Sequence, residues 1–111
     1  MTSRVLFDQG VPAPLRKHLI NSTVDTVYER GWSTLENGDL INKAEVGLYD
    51  IFVTTDKNLK YQQNISTRAI AIVVLPTPSW PVLKNQVDRV VNGISSVSKN
   101  SYLEISLDES T

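Results

Sequence analysis

Ile51-Phe52-Val53-Thr54-Thr55-Asp56 is a short apolar run that ends in two hydroxyls and a carboxylate. It reads as a buried strand that delivers Asp56 to its carboxyl tip. An earlier run, Val5-Leu6-Phe7-Asp8, has the same form and leads through Gly10, Pro12 and Pro14 into a helix. Parallel strands of open α/β sheets carry their ligands in the crevice beyond their carboxyl ends, where successive connections pass to opposite faces of the sheet. If the strands ending at Asp8 and Asp56 are neighbours there, their carboxylates converge. Like charges held that close favour a cation between them, and a hard divalent metal with oxygen ligands, Mg²⁺ or Mn²⁺, is the natural neutraliser. Each acid also has an ordinary reading: Asp8 shapes the turn before the first helix, and Asp56 caps a helix that begins at Lys57.

Outward from these two runs the chain alternates strand and helix. The first strand spans residues 4–7, and the helix after it carries Arg16, Lys17 and His18 and runs to about Ile20. His18, the only histidine, has no second imidazole with which to share a metal and belongs to a solvated face. A second strand over residues 24–29 sets Val24, Thr26 and Tyr28 against Asp25, Val27 and Glu29. Ser33-Thr34-Leu35-Glu36 fits a capping box, and Asn37 fits a slightly later start. Leu40, Ile41, Ala44 and Leu48 then follow at helical spacing, with Gly47 as the stop. Glu36 and Asp39 fall in that first turn, where dipole complementation and metal binding are both open to them.

After Asp56 the segment Lys57-Asn58-Leu59-Lys60-Tyr61-Gln62-Gln63-Asn64 is amide-rich and locally basic. Lys57, Asn58 and Lys60 suit a phosphate or a base edge and Tyr61 a stacked base; a short polar helix with Leu59 and Tyr61 turned inward fits equally. Residues 68–75 read as a central parallel strand. Pro76, Pro78 and Pro81 punctuate its exit, and Ser79 suits a cap. Leu83, Val87, Val90, Val91, Ile94 and Val97 form the apolar stripe of one long amphipathic helix. Residues 102–107 alternate as a half-exposed edge strand, and residues 108–111 form a polar tail.

This βαβαβαβαβ order predicts an α/β fold, a three-layer α/β/α sandwich around a mainly parallel five-stranded sheet. The first strand lies between the second and third, and the fourth beyond the third. With 111 residues the chain is long enough for one core and reads as a single domain, 1–111. Its 41% hydrophobic and 21% charged residues suit a soluble globular protein. No apolar run approaches the roughly 20 residues of a membrane helix, and the first four residues leave no room for a signal peptide. The absence of cysteine excludes thiolate chemistry and fits a cytoplasmic location. A net charge of −1 excludes a strongly basic nucleic-acid binder, so contact with RNA or DNA would be local. There is no glycine-rich phosphate loop and no credible Ser/His/Asp arrangement.

Three blocks, Val5-Leu6-Phe7-Asp8, the passage from Gly31-Trp32-Ser33 to Leu40-Ile41-Asn42-Lys43-Ala44, and Phe52-Val53-Thr54-Thr55-Asp56, resemble in order and spacing the compact PIN-like proteins of bacteria, a small domain of the PIN nuclease superfamily. The likeness covers most of the chain through about Leu75. It implies a PIN-like fold and, where the acids are complete, metal-dependent cleavage of single-stranded RNA by Asp8 and Asp56 with Mg²⁺ or Mn²⁺. Many such proteins are toxins, so an antitoxin protein is an implied partner, and a second copy of the chain is another candidate. The chain departs from the family at Asn37, where an Asp usually opens the second helix. An amide carbonyl is a weaker ligand for a divalent cation than a carboxylate, and Glu36 and Asp39 stand in the same turn as substitutes. Two expectations follow: a ribonuclease with Asp8, Asp56 and Glu36 or Asp39 as its acids and Lys57, Lys60, Asn58 and Asn37 toward substrate, or a non-catalytic PIN-like interaction module.

Overall fold

The interior strands are continuous apolar runs because both of their faces are covered. In the computed structural model, which describes residues 3–59 and 69–107, every residue of β3 (Ile51–Thr54) and β4 (Ala71–Val74) is buried. With β1 (Ser3–Phe7), β2 (Ser22–Thr26) and β5 (Tyr102–Glu104) they form one five-stranded sheet in the order β2-β1-β3-β4-β5. Every pairing is parallel. Alternation of side chains across the sheet divides the core in two. Val5, Phe7, Ile51, Val53, Ala71 and Val73 face the 3₁₀ helix Ala13–His18 and the helices α2 (Trp80–Lys84) and α3 (Val87–Ser96), which contribute Leu15, Leu83, Val90 and Ile94. Leu6, Phe52, Ile72 and Val74 face α1 (Asn37–Val46), which contributes Leu40, Ile41 and Ala44. The expected three-layer α/β/α architecture and strand order are therefore present. Among the described residues no helix is long and apolar enough to cross a membrane.

Local chemistry changes several boundaries. The first helix is 3₁₀ and ends at His18 rather than near Ile20. Pro12 and Pro14 bring no N–H to a ladder, and the segment closes through bonds three residues back, from Leu15 N–H to the Pro12 carbonyl and from Leu19 N–H to the Arg16 carbonyl. β2 stops at Thr26 because Thr26 and Glu29 cap each other: the Glu29 N–H donates to Thr26 Oγ1 (3.0 Å), and the Thr26 N–H to Glu29 Oε1 (2.9 Å). This reciprocal pair is the capping-box arrangement, found here rather than at Ser33–Glu36. There the bond from Leu35 N–H to the Trp32 carbonyl holds a turn, and α1 starts at Asn37 after Glu36, whose side chain makes no capping bond.

The long helix expected after Pro81 is two helices. The Gln86 N–H bonds back to the Leu83 carbonyl and closes α2, and the Gln86 carbonyl accepts from Val90 to open α3. Gln86 itself, at φ −132° and ψ 38°, lies outside the helical region. β5 is shorter than expected, ending at Glu104, and the Ile105 N–H adds one bond to the Val74 carbonyl.

The end of α1 is a Schellman motif: the Tyr49 N–H donates to the Ala44 carbonyl (3.0 Å) and the Leu48 N–H to the Glu45 carbonyl (3.1 Å). The residue in the left-handed position is Leu48, with φ 62°, while Gly47 before it has an ordinary φ of −76°. The helix stops at Gly47 as expected, and an exposed leucine past the cap carries the strain. Tyr49 turns inward from this motif, donating to Asp25 Oδ2 at 2.5 Å beneath the Arg4 guanidinium. Burial and the Asp25 carboxylate push its phenol up to about 12.

Candidate functional site

The sheet order places its switch point between β1 and β3: the chain leaves β1 for β2 on one side and returns through α1 to β3 on the other. Ligands of such sheets sit beyond the carboxyl ends at this point. In register, Phe7 pairs with Val53, and the Asp8 N–H donates to the Val53 carbonyl at 2.9 Å. The chain thus leaves β1 with Asp8 directly beside Thr54, the last residue of β3. The two runs picked out in the sequence do converge.

Thr54 joins the two acids. It is fully buried, the single buried polar side chain among the described residues, and its hydroxyl donates to Asp8 Oδ2 at 2.7 Å while accepting the Asp56 N–H at 3.1 Å. A buried hydroxyl with both roles filled is stable where an unpaired one is costly. Asp8 Oδ1 accepts the Gln9 N–H (2.9 Å). Asp56 Oδ1 accepts the Asn58 N–H (2.9 Å), and Asp56 Oδ2 accepts Asn37 Nδ2 from the first turn of α1 (2.8 Å). Asp8 and Asp56 are both half-buried, so each keeps part of its surface open to solvent at the carboxyl edge of the sheet. Asp56 also shapes the turn that follows, where residues 57–58 form a turn rather than the start of the helix expected from Lys57.

The two loops meet closely across the crevice. A Cβ built on Gly10 would lie 2.3 Å from Thr55 Oγ1. Glycine at position 10 leaves room for the Thr55 hydroxyl, which a larger residue there would make rotate away.

The other sequence-selected residues are distributed unevenly. Asn37 is in the network through its amide donor, whereas Asn58 enters it through its backbone N–H and its side chain is exposed. Lys57 is exposed on the rim and also lines a cavity of about 430 Å³ beyond the ends of β4 and β5. Lys60 and Tyr61 lie outside the described residues. Glu36 and Asp39 are exposed at the start of α1, and among the described residues no three His, Cys, Asp or Glu side chains group to hold a metal. The structure does not bring either acid into a triad with Asp8 and Asp56, because Asn37 occupies the inward position of that turn. The residues fit a magnesium-like ion as a two-carboxylate set: Mg²⁺ commonly takes one or two carboxylates and completes its shell with water and substrate phosphate. Each of the four carboxylate oxygens has one hydrogen-bond donor above and so keeps lone-pair capacity for a cation.

Thr54 and Gly10 were not marked as site residues by sequence reading. The available signal for Thr54 was a hydroxyl closing an otherwise apolar strand, just before the acid. No protein-family model, curated protein or solved structure matches this chain.

Proposed function

We propose that this chain is a metal-dependent ribonuclease of PIN-like type acting on single-stranded RNA, with Asp8 and Asp56 as the carboxylates that hold Mg²⁺ or Mn²⁺. The observation that carries this reading is the Thr54 hydroxyl bridging the two acids at the sheet's switch point. The order and spacing of the three sequence blocks support it independently. A bound divalent ion would supply a water of lowered pKa and charge stabilisation at a phosphodiester. Thr54 fixes Asp8 and the backbone of Asp56 so that neither carboxylate has to be ordered when a cation or substrate arrives. Asn37 orients the Asp56 carboxylate from the side, and Lys57 on the rim offers a cation to a phosphate. Toxicity restrained by an antitoxin, and action in the cytoplasm, belong to this reading.

One observation favours a second reading. Asn37 donates to Asp56 where the family usually has a carboxylate, so the crevice is satisfied internally, as a non-catalytic PIN-like interaction module would be. A thermal-shift titration separates the two. Mn²⁺ or Mg²⁺ added to the wild type raises the melting temperature as it passes Kd if only the native state binds it. The ribonuclease reading expects that rise, its loss in Asp8→Asn/Asp56→Asn, and Mn²⁺-dependent cleavage of a labelled single-stranded RNA that the double variant does not perform. A melting temperature unmoved by millimolar metal, with intact RNA, would leave the interaction module.

A further inference from the structure

A second concavity opens on the same carboxyl edge of the sheet, beside β2. It has a volume of about 600 Å³, and Pro14, Lys17, Thr26 and Tyr28 are among its lining residues. Thr26 pairs with Phe7, the residue before Asp8, so the groove begins one strand spacing, about 4.8 Å, from the strand that carries Asp8. Tyr28, in the turn that follows β2, is 79% exposed. The turn is held by hydrogen bonds: Thr26 and Glu29 cap each other, and Arg16 donates to both oxygens of the Glu29 carboxylate through its two terminal guanidinium nitrogens. Arg16 and Glu29 also line the groove and neutralise each other. Lys17 makes no ion pair among the described residues, and among the residues lining the groove it is the positive charge that Glu29 does not pair.

An exposed aromatic ring and a lysine lining one groove, on the edge that holds Asp8 and Asp56, match the chemistry of a single nucleotide: a flat base and a phosphate. We propose that this groove is a subsite for one unpaired nucleotide of a single-stranded RNA lying across the crevice, with Tyr28 as the stacking surface and Lys17 as the phosphate contact. The proposal rests on the ribonuclease reading and adds a determinant of substrate class to it. A base in a duplex is stacked on its neighbours and cannot lie on Tyr28, so the groove selects unpaired strands. Stacking tolerates any base, so this subsite imposes no sequence preference.

The test is fluorescence anisotropy of a labelled single-stranded RNA with the full-length chain in EDTA, where cleavage is suppressed, over a range of salt. Tyr28→Ala removes a solvent-facing ring, and the fold is checked by an unchanged melting temperature. It should weaken binding by about five- to 150-fold, the span of one base–aromatic stack, and Tyr28→Phe should retain wild-type affinity. Lys17→Ala should make the slope of log K against log salt shallower by about 0.7, the single-strand value for one phosphate contact, a change Tyr28→Ala does not produce. Val82→Ala, at an exposed apolar side chain elsewhere, should leave binding unchanged. If the wild type binds RNA and Tyr28→Ala binds as well, the subsite is refuted while the ribonuclease reading stands on its Mn²⁺-dependent cleavage. If the wild type neither binds single-stranded RNA in EDTA nor cleaves it with Mn²⁺, both fail.

Discussion

Asn37 Nδ2 donates to Asp56 Oδ2 across 2.8 Å, tying the first turn of α1 to the tip of β3. An amide here does part of the work of a cation: it places positive hydrogen density on a carboxylate oxygen. It also determines what a third acid would do. Asn37→Asp should replace a donor with a like charge and, in metal-free buffer, cost about 1–3 kcal/mol of stability. Three carboxylates then share the crevice, and Mn²⁺ should recover the loss. Thermal melts of both proteins with and without Mn²⁺ check this; a deficit that metal does not narrow would count against a cation at this crevice.

Thr54→Val keeps the shape of the side chain and removes the hydroxyl, leaving Asp8 Oδ2 and the Asp56 N–H each without its partner. The cost should be about 1–3 kcal/mol, the usual penalty for stranding buried polar groups. Thr54→Ser keeps both bonds and loses one methyl, at about 1 kcal/mol. Urea denaturation should therefore rank wild type, Thr54→Ser and Thr54→Val in that order, and the equal-volume valine variant should be the least able to respond to Mn²⁺.

Glu29 is held at a pKa of about 2 by its hydrogen bonds, first from Arg16 and then from the Thr26 N–H, against 4.5 for an unperturbed glutamate. Between those two values the unfolded chain binds the extra proton and the folded one does not. Stability rises with pH where the unfolded state holds more protons. The contribution is thus present above 4.5 and lost as pH falls toward 2. Because the pair is exposed, the effect is modest and salt weakens it. The melting-temperature gap between wild type and Glu29→Gln should shrink across this acid window and stay level at neutral pH; a gap that persists unchanged into acid would contradict the assignment.

Leu48 occupies the left-handed C′ position of the α1 cap with its side chain 74% exposed. That conformation costs an L-residue about 1–2 kcal/mol, and glycine gives back about 0.5–1 kcal/mol through the flexibility of the unfolded chain. Leu48→Gly should gain up to about 1 kcal/mol, a melting-temperature rise of roughly 4 °C for a chain of this size. A lower melting temperature would show that the exposed leucine packs more than its surface position indicates.

The layers and strand order were legible because the governing signals are local. Residues 51–53 and 71–74 are apolar without interruption, which only a strand covered on both faces tolerates, and strand-to-helix alternation restricts the crossovers to one hand. The convergence of Asp8 and Asp56 was legible for the same reason, since an acid just past an apolar strand lies at the carboxyl edge. Boundaries were read less well. The capping-box pattern occurs twice, at Thr26–Glu29 and at Ser33–Glu36, and both match the motif equally on paper. The first is realised because Arg16 completes it from another element. α1 does stop at Gly47, but Leu48, which the helical spacing assigns to the apolar stripe, lies past the cap in the left-handed region and is exposed.

The sequence by itself determined which segments are strands, which faces are apolar and which two acids stand at strand ends, since each follows from the periodicity and chemistry of neighbouring residues. Tertiary structure alone decided that Thr54 bridges those acids, that Asn37 rather than Glu36 or Asp39 reaches Asp56, and that an exposed Tyr28 lines one groove with Lys17. These relationships join residues separated by many positions, and their distances depend on strand register and helix rotation. One residue of register exchanges the two faces of a strand, and about 100° of helix rotation exchanges Asn37 for its neighbour.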